Sequence, residues 1–287
     1  MGDGDQILGF SRFAIGVACI FIVTILLTVF NTKERVVATV GTGEKTTVKQ
    51  MIKVLAKNDQ VIVIMLIALL FNVGYQLANS FALYYFEYVC GVKEGLFAAY
   101  TGVAGFAQMG ALALFPVISQ KINKKVIFAT ASLLPVVGFI MLLAVGYIAP
   151  TSILLVGLCS VIVNIGIGFM LVLITVILSE VVDYGEYKLH TRNESILFST
   201  QTFVVKFAGA FSGLISGVGL KAIGFEANAV QSAGTIAGMR IIMIVIPAIL
   251  SLLCLVVYKK GYKLNDEFYH HVLAVLRGEK TEETLTK

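Results

Sequence analysis

The chain has 287 residues, of which 58% are hydrophobic and only 14% are charged, and its mean hydropathy is +0.91. Soluble domains carry about 25% charged residues, so this composition excludes a soluble globular protein and predicts an integral membrane protein. The net charge of +5 does not indicate a nucleic-acid partner, because the basic residues lie in polar connections between apolar runs.

Seven apolar runs follow one another, and each is long enough as a helix to cross about 30 Å of hydrocarbon. They cover residues 13–30, 61–85, 96–118, 126–148, 152–178, 196–220 and 238–258. The sequence therefore predicts an all-α membrane protein with seven transmembrane helices. Residues 31–60 form a polar, basic connection, in which residues 46–57 have the spacing of an amphipathic helix lying on the membrane surface.

The distribution of lysine and arginine predicts the orientation, because connections rich in these residues stay in the cytoplasm. Most of them lie in residues 31–60, 119–125 and 179–195 and just after residue 258. We therefore expect a multi-pass protein of the cell membrane with its N-terminus outside and its C-terminus in the cytoplasm.

One helix, a long basic connection and six further helices also match a twelve-helix transporter that is cut after its fifth helix. Such transporters consist of two six-helix halves. On this interpretation residues 1–30 are the last helix of a missing N-terminal half, and residues 31–60 are the cytoplasmic central loop. Residues 61–258 are then the C-terminal six-helix bundle, and residues 259–287 are a cytoplasmic tail.

Lys206 lies in the middle of an apolar run. A cation at this depth costs roughly 2.5–3.5 kcal/mol on insertion scales, so it is expected to face water or a partner. It shares a helical stripe with Ser199, Thr202, Gly209 and Gly213. This pattern favours a cavity-lining face, on which the ammonium donates to a carboxylate or to sugar hydroxyls. The alternative is a packing face with an internal ion pair.

A second polar face is predicted in the run 61–85, where Asn72, Gln76 and Asn79 share one side of the helix. Their amides could bind a hydroxylated solute through neutral hydrogen bonds. Ordinary hydrogen bonds between helices explain the same pattern equally well, and both interpretations stay open.

Residues 179–194 are predicted to be a polar loop with charges of both signs. The charged candidates are Glu180, Asp183, Glu186, Arg192 and Glu194. Ion pairs among them and with neighbouring helix ends could hold a cavity shut from the cytoplasmic side, and their individual weakness suits a gate that must open. A solvated connection is the alternative.

Nothing in the sequence indicates an enzyme. The four cysteines are isolated, and no metal-binding or nucleophile–base motif can be recognised. We therefore expect no cofactor and no metal site within this chain.

The segment Asp183-Tyr-Gly-Glu-Tyr-Lys-Leu-His-Thr-Arg-Asn-Glu-Ser195, followed by Gln201-Thr-Phe-Val-Val-Lys206, resembles the loop and eleventh helix of a known family. This family is that of the glycoside–pentoside–hexuronide:cation symporters, the melibiose permease family, which has the major facilitator fold. The resemblance covers essentially the whole chain, as helices six to twelve of a twelve-helix carrier.

The resemblance implies uptake of a sugar coupled to Na⁺ or H⁺ by alternating access. It implies that Lys206 lies near the sugar and the cation and that Gln201 and Thr202 line the sugar cavity. Asp183, Glu186, Arg192 and Glu194 match charges of the cytoplasmic gate, and Glu180 replaces a common Asp with the charge kept. The family's cation site depends on acidic residues of the first five helices, and no Asp or Glu lies in the seven predicted runs. The chain is thus expected to need a missing N-terminal half as its partner.

Two other functions are considered from the sequence. The chain could be a truncated membrane fragment or scaffold that transports nothing. It could also be a carrier of lysolipids, because carriers of that kind share the fold and an intramembrane Lys. The sequence leaves open which sugar and which cation are carried.

Overall fold

A computed structural model describes residues 6–32, 55–91 and 95–279, with side chains from Leu8 onward. The chain divides into two units, Met1–Thr47 and Val48–Lys287. The first unit contains helix α1 (Gln6–Asn31), in which the hydroxyls of Thr24 and Thr28 donate to carbonyls one turn earlier. Most of the amphipathic helix predicted for residues 46–57 lies outside the described residues and stays a prediction.

The described part of the second unit is helical and contains the elements α2 to α8. They are α2 (Asp59–Val89), α3 (Gly95–Ser119), α4 (Lys124–Ile148), α5 (Ile153–Leu189), α6 (Glu194–Ala222), α7 (Ala233–Gly261) and α8 (Asp266–Leu276). Within the described ranges seven helices, α1 to α7, are long and apolar enough to cross a membrane. This confirms the predicted class, an all-α membrane protein with seven membrane helices.

Most of these helices begin at a side chain that satisfies a free backbone N–H of the first turn. Asn and Ser are good residues for this position because their short side chains carry an acceptor oxygen. The N-cap side chains that accept such a bond are Asn58 of α2, Asn123 of α4, Ser152 of α5, Ser232 of α7 and Asn265 of α8. Polar residues between the apolar runs therefore fix where each helix starts.

Helix α5 lies at the centre of the second unit and approaches its neighbours through glycines. A Cβ added at Gly166 would lie 2.4 Å from the ring of Pro135 in α4. Similarly, a Cβ at Gly168 would lie 2.8 Å from Ala111 in α3. Small residues at such contacts are typical of membrane helices, where close backbone packing replaces the hydrophobic effect as the source of association.

Pro135 interrupts the hydrogen-bond ladder of α4, because proline has no N–H and its ring disturbs the preceding turn. In that turn the carbonyl of Ser132, a fully buried residue, accepts a hydrogen bond of 2.7 Å from Ser251 Oγ of α7. A neighbouring helix thus donates to the backbone of the turn that Pro135 disturbs, in keeping with the requirement that backbone groups in a bilayer be satisfied by the protein.

We expect Ser251→Ala to lower the free energy of unfolding by about 0.6 kcal/mol and by no more than about 1.7 kcal/mol, the mean and the maximum measured for hydrogen bonds between membrane helices. Thermal unfolding in detergent measures the change. Thr130→Ala is the control, because the Thr130 hydroxyl bonds only to Val126 of its own helix and is exposed. Equal losses for the two variants would contradict a specific role for the Ser251 bond.

The prediction of a polar loop over residues 179–194 is wrong. Helix α5 continues through this charged segment to Leu189, and only residues 190–193 connect it to α6. His190 ends the helix in the left-handed conformation, with φ of 53°, and its N–H bonds to the carbonyl of Glu186. Glu180, Asp183 and Glu186 therefore lie on successive turns of α5, in a helical extension of the apolar segment.

Candidate functional site

Helix α6 has three different faces, and Lys206 lies on one of them. The first face is buried in the unit and includes Leu197, Ala208 and Ser212. The second is apolar and exposed, and its stacked rings Phe203, Phe207 and Phe211 are 67%, 48% and 43% exposed. Exposed aliphatic and aromatic side chains on a membrane helix are suited to lipid.

The third face of α6 is exposed but is made of small and polar residues. Its members are Ser195, Ser199, Thr202, Lys206, Gly213 and Gly217. Lys206 makes no hydrogen bond or ion pair with any residue that the structure describes. The internal ion pair considered from the sequence is therefore absent from the described part of the chain, and the ammonium remains open to a solute or to another polypeptide.

The three amides of the predicted polar face of α2 do not share one role: two of them bond within α2, and one bonds to α6. Asn72 is buried and donates to Ala68 of its own helix, and Asn79 is exposed and donates to Tyr75. Gln76 alone crosses to α6, where its Nε2 donates to the carbonyl of Val205 at 3.3 Å. The structure thus brings Gln76 beside the α6 segment that contains Lys206, while the amides of Asn72 and Asn79 bond within α2.

The remaining cavity candidates lie on α6 itself. Thr202 is exposed, and its hydroxyl donates to the carbonyl of Phe198 one turn earlier. Gln201 is half-buried. A different polar pair lies between α3 and α5, where Gln108 Nε2 donates to Asn164 Oδ1 at 2.7 Å. Gln108 and Asn164 therefore find partners inside the unit, whereas the Lys206 ammonium has none among the described residues.

At the end of α5 the structure brings four of the predicted gate residues together. The guanidinium of Arg192 lies 3.1 Å from Asp183, 2.8 Å from Glu186 and 3.1 Å from Glu194. These hydrogen bonds, chiefly the one to Glu186, raise the pKa of Arg192 above its ordinary value. One cation thus joins the end of α5 to the start of α6 and leaves an excess of negative charge.

We expect Arg192→Gln to lower the free energy of unfolding by up to about 1 kcal/mol at low ionic strength, because the three carboxylates then repel one another. The loss should shrink at about 1 M salt, where the Debye length is about 3 Å. Thermal unfolding at both salt concentrations checks this, and Arg192→Lys, which keeps the charge, is the control. A loss that does not depend on salt would exclude an electrostatic cause.

Glu180, the fifth predicted gate residue, does not join this group. It is buried, and both of its oxygens accept from Lys124 Nζ of α4, at 2.5 and 2.6 Å. Tyr262, just after α7, also donates its hydroxyl to Glu180. Burial, with the neighbouring carboxylate, raises the pKa of Tyr262 and keeps it a donor. Glu180 therefore joins α5 to the start of α4 and to the segment after α7.

Sequence reasoning did not identify a third cluster, which is centred on Asp59 at the start of α2. Asp59 accepts from Tyr184 at 3.1 Å and from Lys188 at 2.7 Å, both on α5, and from Lys263 at 3.1 Å. A sequence signal did exist, because Tyr184 and Lys188 are one helical turn apart. It was missed because residues 179–194 were interpreted as a loop.

Helix α8 lies over this end of the unit. Val272 is fully buried, the Tyr269 hydroxyl donates to Asp183 at 2.8 Å, and Asp266 lies 3.4 Å from Lys124. Burial, followed by the bond to Asp183, raises the pKa of Tyr269. Helix α8 therefore connects the Arg192 cluster to the Glu180 cluster. Residues 266–276, which follow the last predicted span, thus form a helix that packs on the rest of the second unit.

The described residues contain no group of three or more His, Cys, Asp or Glu side chains that could hold a metal ion. The carboxylates of Asp59, Glu180 and Asp183 are paired with lysine or arginine side chains at one end of the helices.

These observations define a multi-pass α-helical membrane protein in which a charged side chain, Lys206, lies on the open face of a membrane helix. The chain belongs to the MFS/sugar transport protein family, whose model matches residues 5–266. Membership of the glycoside–pentoside–hexuronide:cation symporters, within the major facilitator superfamily, is thereby confirmed.

Relatives from lactic acid bacteria illustrate this membership. A raffinose carrier protein of Pediococcus pentosaceus is 29% identical over 80% of this chain and 35% of its own length. A lactose permease of Lactobacillus delbrueckii subsp. bulgaricus is 29% identical over 94% of this chain and 43% of its own. An isoprimeverose transporter of Lactiplantibacillus pentosus is 28% identical over 90% of this chain and 53% of its own length. These relatives are carriers and permeases rather than enzymes, and the chain spans about half of their length or less.

Proposed function

We propose that this chain is the C-terminal part of a sugar:cation symporter, and that it transports a glycoside together with Na⁺ or H⁺ by alternating access. The observation that carries the proposal is Lys206, an exposed cation in the middle of a membrane helix with no partner among the described residues. A charge in this position is stable only beside water, a solute or an anion. The names of the relatives, which include carriers of lactose, raffinose and isoprimeverose, support a sugar as the solute.

In this proposal Lys206 donates hydrogen bonds in the sugar and cation cavity. Gln201 and Thr202 of α6 and the α2 face with Asn72, Gln76 and Asn79 line the same cavity. The partner is an N-terminal half with five further helices, which supplies the acidic residues of the cation site. The open small-residue face of α6 is where that half would meet this chain, because small residues permit close helix contact.

We further propose that the charged end with Asp59, Glu180 and Arg192 faces the cytoplasm of the cell, as the lysine distribution favours. Asp183, Glu186, Arg192 and Glu194 would then lie at the cytoplasmic gate. The pairs described above lie between elements of this chain. A gate function therefore requires that the exposed members, above all Arg192, exchange partners with the N-terminal half when the carrier closes.

The test is uptake of radiolabelled lactose, raffinose and isoprimeverose by cells that produce this chain together with its N-terminal half. Lys206→Met should reduce uptake by about tenfold or more, which corresponds to the loss of about 1.4 kcal/mol of interaction. Lys221→Met, in the last turn of the same helix, is the matched control and should leave uptake unchanged. Undiminished uptake by Lys206→Met would overturn the proposal.

The same cells distinguish the other two functions. Accumulation of radiolabelled lysophosphatidylethanolamine without any sugar would identify a lysolipid carrier. Stable insertion with no uptake of any of these compounds would identify an inert fragment or scaffold. Replacing Na⁺ by K⁺, and separately adding a protonophore, decides which cation is coupled.

A further inference from the structure

Gln76 reaches from α2 to α6 at the level of Lys206. Its Nε2 donates to the carbonyl of Val205, the residue directly before Lys206. Ser212 Oγ of α6 donates to the carbonyl of Val73 at 3.2 Å and joins the same two helices a little further along. The position of the Gln76 amide relative to the Lys206 segment is therefore fixed by contacts between the helices.

The bond to Val205 also determines which way the amide points. A carbonyl oxygen can only accept, so the NH₂ group of Gln76 must face Val205, and Oε1 must face away from it. Oε1 has no hydrogen-bond partner among the described residues, and it is not one of their fully buried polar atoms. Gln76 Oε1 is thus a hydrogen-bond acceptor without a described partner, at a position beside α6 that the bond to Val205 fixes.

Gly209 provides the space for this arrangement. It lies three residues after Lys206, and a Cβ built on it would be 3.1 Å from Gln76 Nε2 and 3.2 Å from Oε1. Any side chain at position 209 would therefore press on the amide itself. Gly213, one turn further along the same face, has nothing within 4 Å of such a Cβ.

We propose that Gln76 is a specificity-determining residue of the Lys206 site, and that Gly209 is a positioning residue which gives the amide its place. The inference rests on the proposed function and narrows the substrate class. A hydroxyl group can accept from the Lys206 ammonium and also donate to Gln76 Oε1. A carboxylate can only accept, so Oε1 disfavours it. Gln76 Oε1 therefore shifts the preference of the site toward neutral, hydroxyl-rich solutes and away from their acid analogues.

Uptake by the complete carrier tests this specificity. Gln76→Leu and Gly209→Val should each raise the KM for lactose by about tenfold, with the maximal rate nearly unchanged, because binding rather than translocation is weakened. Both variants should also reduce the preference for lactose over lactobionate, its acid analogue, as measured by competition. Gly157→Val in α5 is the control, because nothing lies within 4 Å of a Cβ there. A preference for lactose equal to that of the wild type in both variants would overturn the proposal.

Cross-linking of this chain alone provides a readout that does not depend on transport. Gln76→Cys paired with Gly209→Cys should join with a short bifunctional thiol reagent, and Gln76→Cys paired with Gly213→Cys should not. Failure of the first pair would overturn the inference even if Lys206 is essential for uptake. Efficient joining of the first pair, together with uptake that does not depend on Lys206, would instead reject the proposed function.

Discussion

Gly166→Leu is expected to prevent accumulation of the folded second unit. A Cβ at Gly166 would lie 2.4 Å from Cδ and 2.8 Å from Cγ of Pro135, and 3.0 Å from Cβ of Leu134. The proline ring cannot rotate away, so α4 and α5 would have to separate. Overpacking by single methylenes typically costs about 1–3 kcal/mol, and a leucine adds four carbons where not even one fits.

A matched substitution in the same helix distinguishes overpacking from a general intolerance of leucine. Gly157 is also in α5, but nothing lies within 4 Å of a Cβ added there, so Gly157→Leu should fold. Gly166→Ala should give an intermediate loss of stability. Unfolding can be followed in detergent with a thiol-reactive dye, because Cys90, Cys159 and Cys254 are buried. Equal folded yields for Gly166→Leu and Gly157→Leu would refute the close helix contact.

Lys124→Met is expected to lower the free energy of unfolding by about 3–5 kcal/mol, because it leaves a buried carboxylate without its cation. The side chains of Lys124 and Glu180 are only 14% and 8% exposed. The double variant Lys124→Met/Glu180→Leu should recover most of this loss, because an apolar pair of similar size replaces a buried ion pair at little cost. Thermal and denaturant unfolding measure the loss in the single variant and the recovery in the double variant.

Lys263→Met is the control at the same end of the molecule. Lys263 pairs with Asp59 at 3.1 Å, but its side chain is 71% exposed, so the loss should be at most about 1 kcal/mol. If the double variant is as unstable as Lys124→Met alone, the cost does not come from the unpaired Glu180 charge.

The membrane helices could be predicted from the sequence because their signal is local. Apolar runs of sufficient length appear directly in the chain, and all seven predicted spans are found as helices within the described residues. The open face around Lys206 could also be predicted, because helical periodicity places residues three and four apart on one side. The sequence could not show whether that face of α6 packs against another helix, because such contacts depend on residues elsewhere in the chain.

The partners of Glu180 and Asp59 could not be predicted, because these ion pairs join residues far apart in the chain. Glu180 pairs with Lys124, which is 56 residues away, and Asp59 pairs with Lys188, which is 129 residues away. The charges after Leu178 were interpreted as a loop because they end an apolar run. Charge marks the end of hydrocarbon burial and not the end of a helix, so α5 continues to Leu189. The gate and cavity roles of these residues stay predictions.

Helix α5 has 37 residues, which at 1.5 Å per residue makes a rod about 55 Å long, against a hydrocarbon layer of about 30 Å. It contains no proline, so the apolar part up to Leu178 and the charged part from Glu180 to Leu189 form one continuous, rigid helix. A tilt of one degree about one end displaces the other by about 1 Å over this length. A protein or ion that binds the carboxylates at the tip and tilts the helix would therefore also displace Asn164, because both lie on the same rigid element.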